Sequence, residues 1–158
     1  MELLEAYIRE LRLIRSSGAG VPETSYYVPL AELLNAVGQT LKPKVRCIVT
    51  LKNQGAGLPD GGLFTPDQFK KGEGDSLLGQ IPARGAIEVK PVGEDAWLTA
   101  DGSQVSRYWE KYRQVLVTNY RDFVFVGQDG EGPGPLPRHG CLTGGGAEPD
   151  LRDAPGEG

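Results

Sequence analysis

The sequence predicts an α/β fold, a β-sheet flanked by helices, and three observations carry that expectation. Apolar residues recur at helical spacing through residues 3–14 and again through 30–37. Short runs rich in β-branched residues follow, bounded by Gly, Pro and Asn. A third helical pattern, SQVSRYWEKYRQ, separates the first three of these runs from the last two.

Taken in chain order, Leu3, Leu4, Tyr7, Ile8, Leu11 and Ile14 predict a first amphipathic helix that ends before SSGAG. In SYYVPLAELLNAVG the residues Leu30, Leu33, Leu34 and Val37 predict a second helix, with Pro29 tolerable in its first turn and Gly38 expected as its C-cap. KVRCIVTL, GGLF and GAIEVK read as three strands. VLVTN and DFVFVG read as two more, joined by a tight turn at Tyr120 and Arg121. Between the second and third strands, TPDQFKKGEGDSLLGQIPAR has the composition of an exposed loop.

A chain of 158 residues with 39% hydrophobic composition suits one globular domain with a real core. No apolar run approaches the ~20 residues that span a bilayer, and MELLEAYIRELRLIRSSG is unlike a signal peptide, so a cytoplasmic protein without membrane contact is expected. Cys47 sits inside an apolar run and reads as a small core residue, while Cys141 lies in a Gly-rich stretch, so neither a disulfide nor a metal cluster is expected. The net charge of −4 is unevenly spread. Residues 1–127 hold 15 Lys/Arg against 15 Asp/Glu, and residues 128–158 hold 2 against 6. That last segment has 14 Gly or Pro and no aromatic residue, so it reads as a flexible acidic tail or linker, with its His139 on an exposed loop. The domain is therefore expected over 1–127 and the tail over 128–158.

The chemistry concentrates around ARGAIEVKPVG. Side chains alternate along a strand, so Ile87 and Val89 are expected to face a core while Ala86, Glu88 and Lys90 share a charged face. Upstream, GAGLPDGGLF places Asp60 where the second strand begins. Two carboxylates brought to one spot supply hard oxygen ligands for Mg²⁺, which keeps several waters and needs only one or two protein carboxylates. A lysine on the same face can orient an attacking water or offset the charge that grows on a phosphoryl group.

Pro59-Asp60 followed by Glu88-Val89-Lys90 resembles the PD-(D/E)xK nuclease superfamily. Gln104 and Tyr108, one helical turn apart, are similar to the QxxxY pair of its RecB-like and Mrr-like branch, and Glu23 resembles the acid at the head of the first core helix. VLVTNYRDFVFVG is similar to the closing strands of N-terminal nuclease domains in type ISP and related single-chain restriction-modification enzymes. The resemblance covers about residues 20–127. It implies a restriction-endonuclease-like fold, a mixed β-sheet flanked by helices with an α-β-β-β-α-β core. It also implies a DNA endonuclease of a restriction-modification system, dependent on Mg²⁺ with Mn²⁺ able to substitute. In that reading Asp60 and Glu88 are metal ligands with the Val89 carbonyl as a third, Lys90 is the catalytic lysine and Glu23 an auxiliary acid. Gln104 and Tyr108 support the site and the DNA backbone. The chain carries no GxxxxGK[ST] and no NPPY, so target recognition, translocation and methylation are expected from other domains or subunits.

Other readings of the same residues stay open. Glu88 and Lys90 can be a plain salt bridge, Asp60 a turn residue before glycine, and Glu23 an acid favoured by the helix dipole, with Glu32 a rival on the same helix. Gln104 and Tyr108 can be helix surface and helix core. The alternative function is a non-catalytic DNA- or protein-interaction module on a nuclease-like scaffold.

Overall fold

In the computed structural model the described residues are 2–21, 23–50, 59–70, 80–127 and 138–141, the last as backbone only. Six strands form one sheet in chain order: β1 (Arg46–Val49), β2 (Gly61–Phe64), β3 (Ala86–Val89), β4 (Val115–Thr118), β5 (Phe123–Val126) and β6 (Arg138–Cys141). β3 and β4 run parallel and every other neighbouring pair is antiparallel, so the sheet is mixed. A parallel pair needs a crossover rather than a hairpin, and α4 (Ala96–Ala100) with α5 (Ser103–Tyr112) supplies it. β4 and β5 close on a turn in which Tyr120 takes a left-handed φ of 71°. The Asn119 side chain holds that turn, accepting from Arg121 N–H at 3.1 Å and Asp122 N–H at 2.7 Å.

The helices cover both faces of the sheet. On one, Val105, Tyr108 and Tyr112 form the buried stripe of α5 and pack with Ala86, Val115, Val117, Val124 and Val126. On the other, α1 (Glu2–Ser17) and α2 (Tyr27–Thr40) pack over Cys47, Ile87 and Val89, with Leu30 fully buried between them. A short 3₁₀ turn, Thr24–Tyr26, leads into α2 and places Pro29 in its first turn, as the sequence predicts. Asn35 of α2 guards the outer edge of β1: its amide donates to the Cys47 carbonyl at 3.3 Å and accepts from Cys47 N–H at 2.9 Å.

Several details differ from the sequence reading, which also assigned no helix at α4. Gly38 is not a C-cap, because α2 continues to Thr40; Gly38 is buried where a Cβ would collide with the Val45 carbonyl, and Val45 N–H donates to the Gly38 carbonyl at 3.0 Å. The loop after β2 opens with a one-turn helix α3 (Pro66–Phe69) held by a Thr65/Gln68 capping box, while residues 71–79 lie outside the described set. The apolar stripe of α1 is only partly used: Tyr7 is buried, but Leu3 and Leu4 stay exposed. β6 adds to the outer edge of β5 from within 128–158, since an edge strand offers unpaired N–H and C=O groups to any extended segment. The rest of the expected tail, 128–137 and 142–158, lies outside the described residues, as do the side chains of His139 and Cys141.

Cys47 is the small core residue that its surroundings suggest, and burial pushes its thiol pKa up to about 12. In a Cys141→Ser background, Cys47 is therefore expected to stay inert to a thiol reagent at pH 8 until denaturant unfolds the chain. Fast labelling of the native protein would show that this core is open.

Candidate active site

The site forms where β2 and β3 part. They pair only at Gly61↔Ile87 and Gly62↔Ala86, and beyond that point the Val89 N–H has no ladder partner on β2. The Asp60 carboxylate takes its place, with Oδ2 accepting from Val89 N–H at 2.7 Å. Gly61 makes the approach possible, because a Cβ there would lie 2.9 Å from the Ile48 carbonyl oxygen and 3.2 Å from Ile87 Cδ1. On its other side, Asp60 Oδ1 accepts from the Tyr27 hydroxyl at 3.1 Å. Asp60 is thus pinned between a strand and a helix.

Glu88 corrects the expected charged face. All four residues of β3 are buried, Glu88 to 2% exposure, because α5 covers the side that alternation assigns to Ala86 and Glu88. Its Oε1 pairs with Lys90 Nζ at 2.8 Å, and the Lys90 side chain reaches the surface at 27% exposure. Glu88 Oε2 is buried and has no hydrogen-bond partner among the described residues. Burial raises the Glu88 pKa most; Lys90 opposes this, and the nearby Asp60 and Glu23 charges add to it. Lys90 is held protonated chiefly by its hydrogen bond to Glu88.

Glu23 joins the group through Tyr27, whose hydroxyl lies 3.3 Å from Glu23 Oε1 as well as against Asp60. Its main-chain carbonyl accepts from the Tyr120 hydroxyl, and the Tyr120 carbonyl in turn accepts from the Tyr7 hydroxyl at 2.8 Å. Glu32, the rival acid, is exposed. On α5, Gln104 Nε2 donates to the Tyr108 hydroxyl at 3.0 Å, and Tyr108 is close enough to feel the Glu88 and Asp60 charges. The structure therefore brings Asp60, Glu88, Lys90 and Glu23 to one end of β3, with Gln104 and Tyr108 behind Glu88. The sequence reading missed Tyr27 and Tyr120. Spacing offered a clue for the first, since Tyr27 follows Glu23 by one helical turn; nothing local marks the second.

Among the described residues no group of three or more His, Cys, Asp or Glu side chains gathers to hold a metal. The candidate centre is instead the pair of carboxylates Asp60 and Glu88, a number of protein ligands that suits Mg²⁺. The orphaned Glu88 Oε2 is the observation that fits a cation: a buried carboxylate oxygen without a donor is costly unless a positive charge meets it.

A solved structure described as the cryoEM structure of a DrdV-DNA complex superimposes on this chain with a TM-score of 0.58 and 19% identity. The match covers 89% of this chain and 12% of that one, so the present chain spans a small part of the neighbour's length. The architecture is consistent with a restriction-endonuclease-like fold. At that identity the likeness speaks for the fold. No family model and no curated protein matches the chain.

Because Glu88 has a raised pKa in the fold, its charge opposes folding above that pKa, and the penalty fades as pH falls and the folded state takes up a proton first. In EDTA at pH 7, Glu88→Gln should therefore melt at or above the parent. That margin should shrink as the solution is acidified through the raised pKa. Thermal melts across pH check this, and a variant several degrees less stable than the parent at pH 7 would contradict it.

Proposed function

We propose that this chain is a DNA endonuclease module of the PD-(D/E)xK type, dependent on Mg²⁺ with Mn²⁺ able to substitute, working within a larger restriction-modification assembly. The observation that carries the reading is Glu88, a buried carboxylate with one oxygen on Lys90 and the other unpaired, set beside a pinned Asp60. Support for DNA as the partner comes from the DrdV complex, which contains DNA. Other domains or subunits supply target recognition, since the core over 1–127 balances 15 basic against 15 acidic residues and would neutralise few phosphates alone.

Asp60, Glu88 and the Val89 carbonyl hold the metal in this reading. When bound, Mg²⁺ supplies a Lewis acid at the phosphoryl oxygens and lowers the pKa of the attacking water. Lys90 keeps its proton through Glu88 and presents a compact cation at the mouth of the site, where it orients the water and offsets charge growing on the phosphoryl oxygens. Glu23 is an auxiliary acid on the Tyr27 side. Gln104 orients the Tyr108 hydroxyl, and Tyr108 closes the site behind Glu88 against water.

One observation favours a second reading, a non-catalytic interaction module. Both Asp60 oxygens already accept hydrogen bonds, so Asp60 can be read as a brace between β3 and α2. Plasmid nicking with and without Mg²⁺ separates the two. The parent should nick only with the metal, and Lys90→Ala should lower the single-turnover rate about 100-fold or more, with a lower melting temperature because buried Glu88 loses its counter-ion. Mg²⁺-independent nicking, or parent-like rates in Lys90→Ala, would remove the catalytic reading.

A further inference from the structure

Resting on that nuclease reading, we propose that Tyr27 is a positioning residue: its hydroxyl joins Glu23 and Asp60 and fixes the Asp60 carboxylate for the cation. The geometry is specific. Tyr27 Oη lies 3.1 Å from Asp60 Oδ1 and 3.3 Å from Glu23 Oε1, and a phenol has a single proton to offer two acids. With Oδ2 held at 2.7 Å by Val89 N–H, the Tyr27 contact removes the remaining rotation of the carboxylate about its Cβ–Cγ bond. Each oxygen keeps a second lone pair beyond these two contacts.

Glu23 is held at its main-chain carbonyl by Tyr120, and its side chain shares the single Tyr27 proton with Asp60. Tyr7 of α1 steadies Tyr120 in turn, through a hydrogen bond of 2.8 Å to its carbonyl. The chain of contacts Tyr7, Tyr120, Glu23, Tyr27, Asp60 thus runs from the first helix to the candidate centre. Of the three tyrosines in that chain, Tyr27 is the one that touches a side chain proposed to bind metal. A hydroxyl that merely found an acceptor would need one carboxylate; this one spans two acids 37 residues apart in sequence, on separate elements.

Mn²⁺ titration by calorimetry tests the assignment, with melting temperature in EDTA as the second readout. Tyr27→Phe should bind Mn²⁺ on the order of 10-fold to 100-fold more weakly, as loss of an outer partner of a metal ligand does elsewhere. The Mg²⁺ concentration for half-maximal nicking should rise to match, while the melting temperature in EDTA moves by only a few degrees. Tyr7→Phe is the matched control, since it removes a buried hydroxyl whose hydrogen bond goes to a main-chain carbonyl and to no side chain proposed to bind the metal. It should lower the melting temperature without weakening Mn²⁺ binding. Parent-like Mn²⁺ affinity in Tyr27→Phe overturns the proposal and leaves the nuclease reading standing. So do equal affinity losses in both variants, which would trace the effect to stability. A parent that binds no Mn²⁺ overturns both.

Discussion

Glu88 sets the terms for the rest of the molecule. A carboxylate at 2% exposure in the central strand of a sheet covered by helices on both sides is costly, and Lys90 offsets only part of that cost. An oxygen buried without a donor is relieved by a proton or by an arriving cation, and the proposed function takes the second. An exposed salt bridge is worth about 0–1 kcal/mol and asks nothing of its neighbours, whereas this pair has one member buried. Here α5 must lie over the strand, and Tyr108 and Gln104 must close the space behind it.

The fold meets that demand by ending one ladder early. β2 leaves β3 after two residue pairs, and the Asp60 carboxylate does for Val89 what a neighbouring strand would have done. The substitution ties the second acid to the first by main-chain geometry. Parallel pairing of β3 with β4 carries the same logic, since the crossover through α4 and α5 delivers the helix that buries Glu88. The β4–β5 turn then reaches back across the other face, where Tyr120 secures Glu23 at the entrance to α2.

Much of this was legible in the sequence. Alternation in GAIEVK put Glu88 and Lys90 on one side, PDGG marked the start of β2, and SQVSRYWEKYRQ read as the helix between the third and fourth strands, with Tyr108 open as its core residue. Local pattern could not say that the charged side of β3 is roofed over, because burial there depends on a helix that arrives from residues 103–112. The Gly38 assignment failed for a related reason. A glycine near a helix end is usually a cap, but here the demand comes from Val45, seven residues on, pressing against the helix. β6 was invisible because Gly- and Pro-rich composition masks a strand that needs only a free edge to join. Tyr27 was not singled out, because its contact is with Asp60, 33 residues away.

The central claim is that Glu88 and Asp60 form one cation site. Crystals soaked in Mn²⁺ and measured at a wavelength where manganese scatters anomalously test it directly. The account predicts a single strong anomalous peak about 2 Å from Glu88 Oε2 and from an Asp60 oxygen, the distance of a hard cation to carboxylate oxygen. No peak at the end of β3, with Glu88 Oε2 still unpaired or met by a side chain, would contradict it.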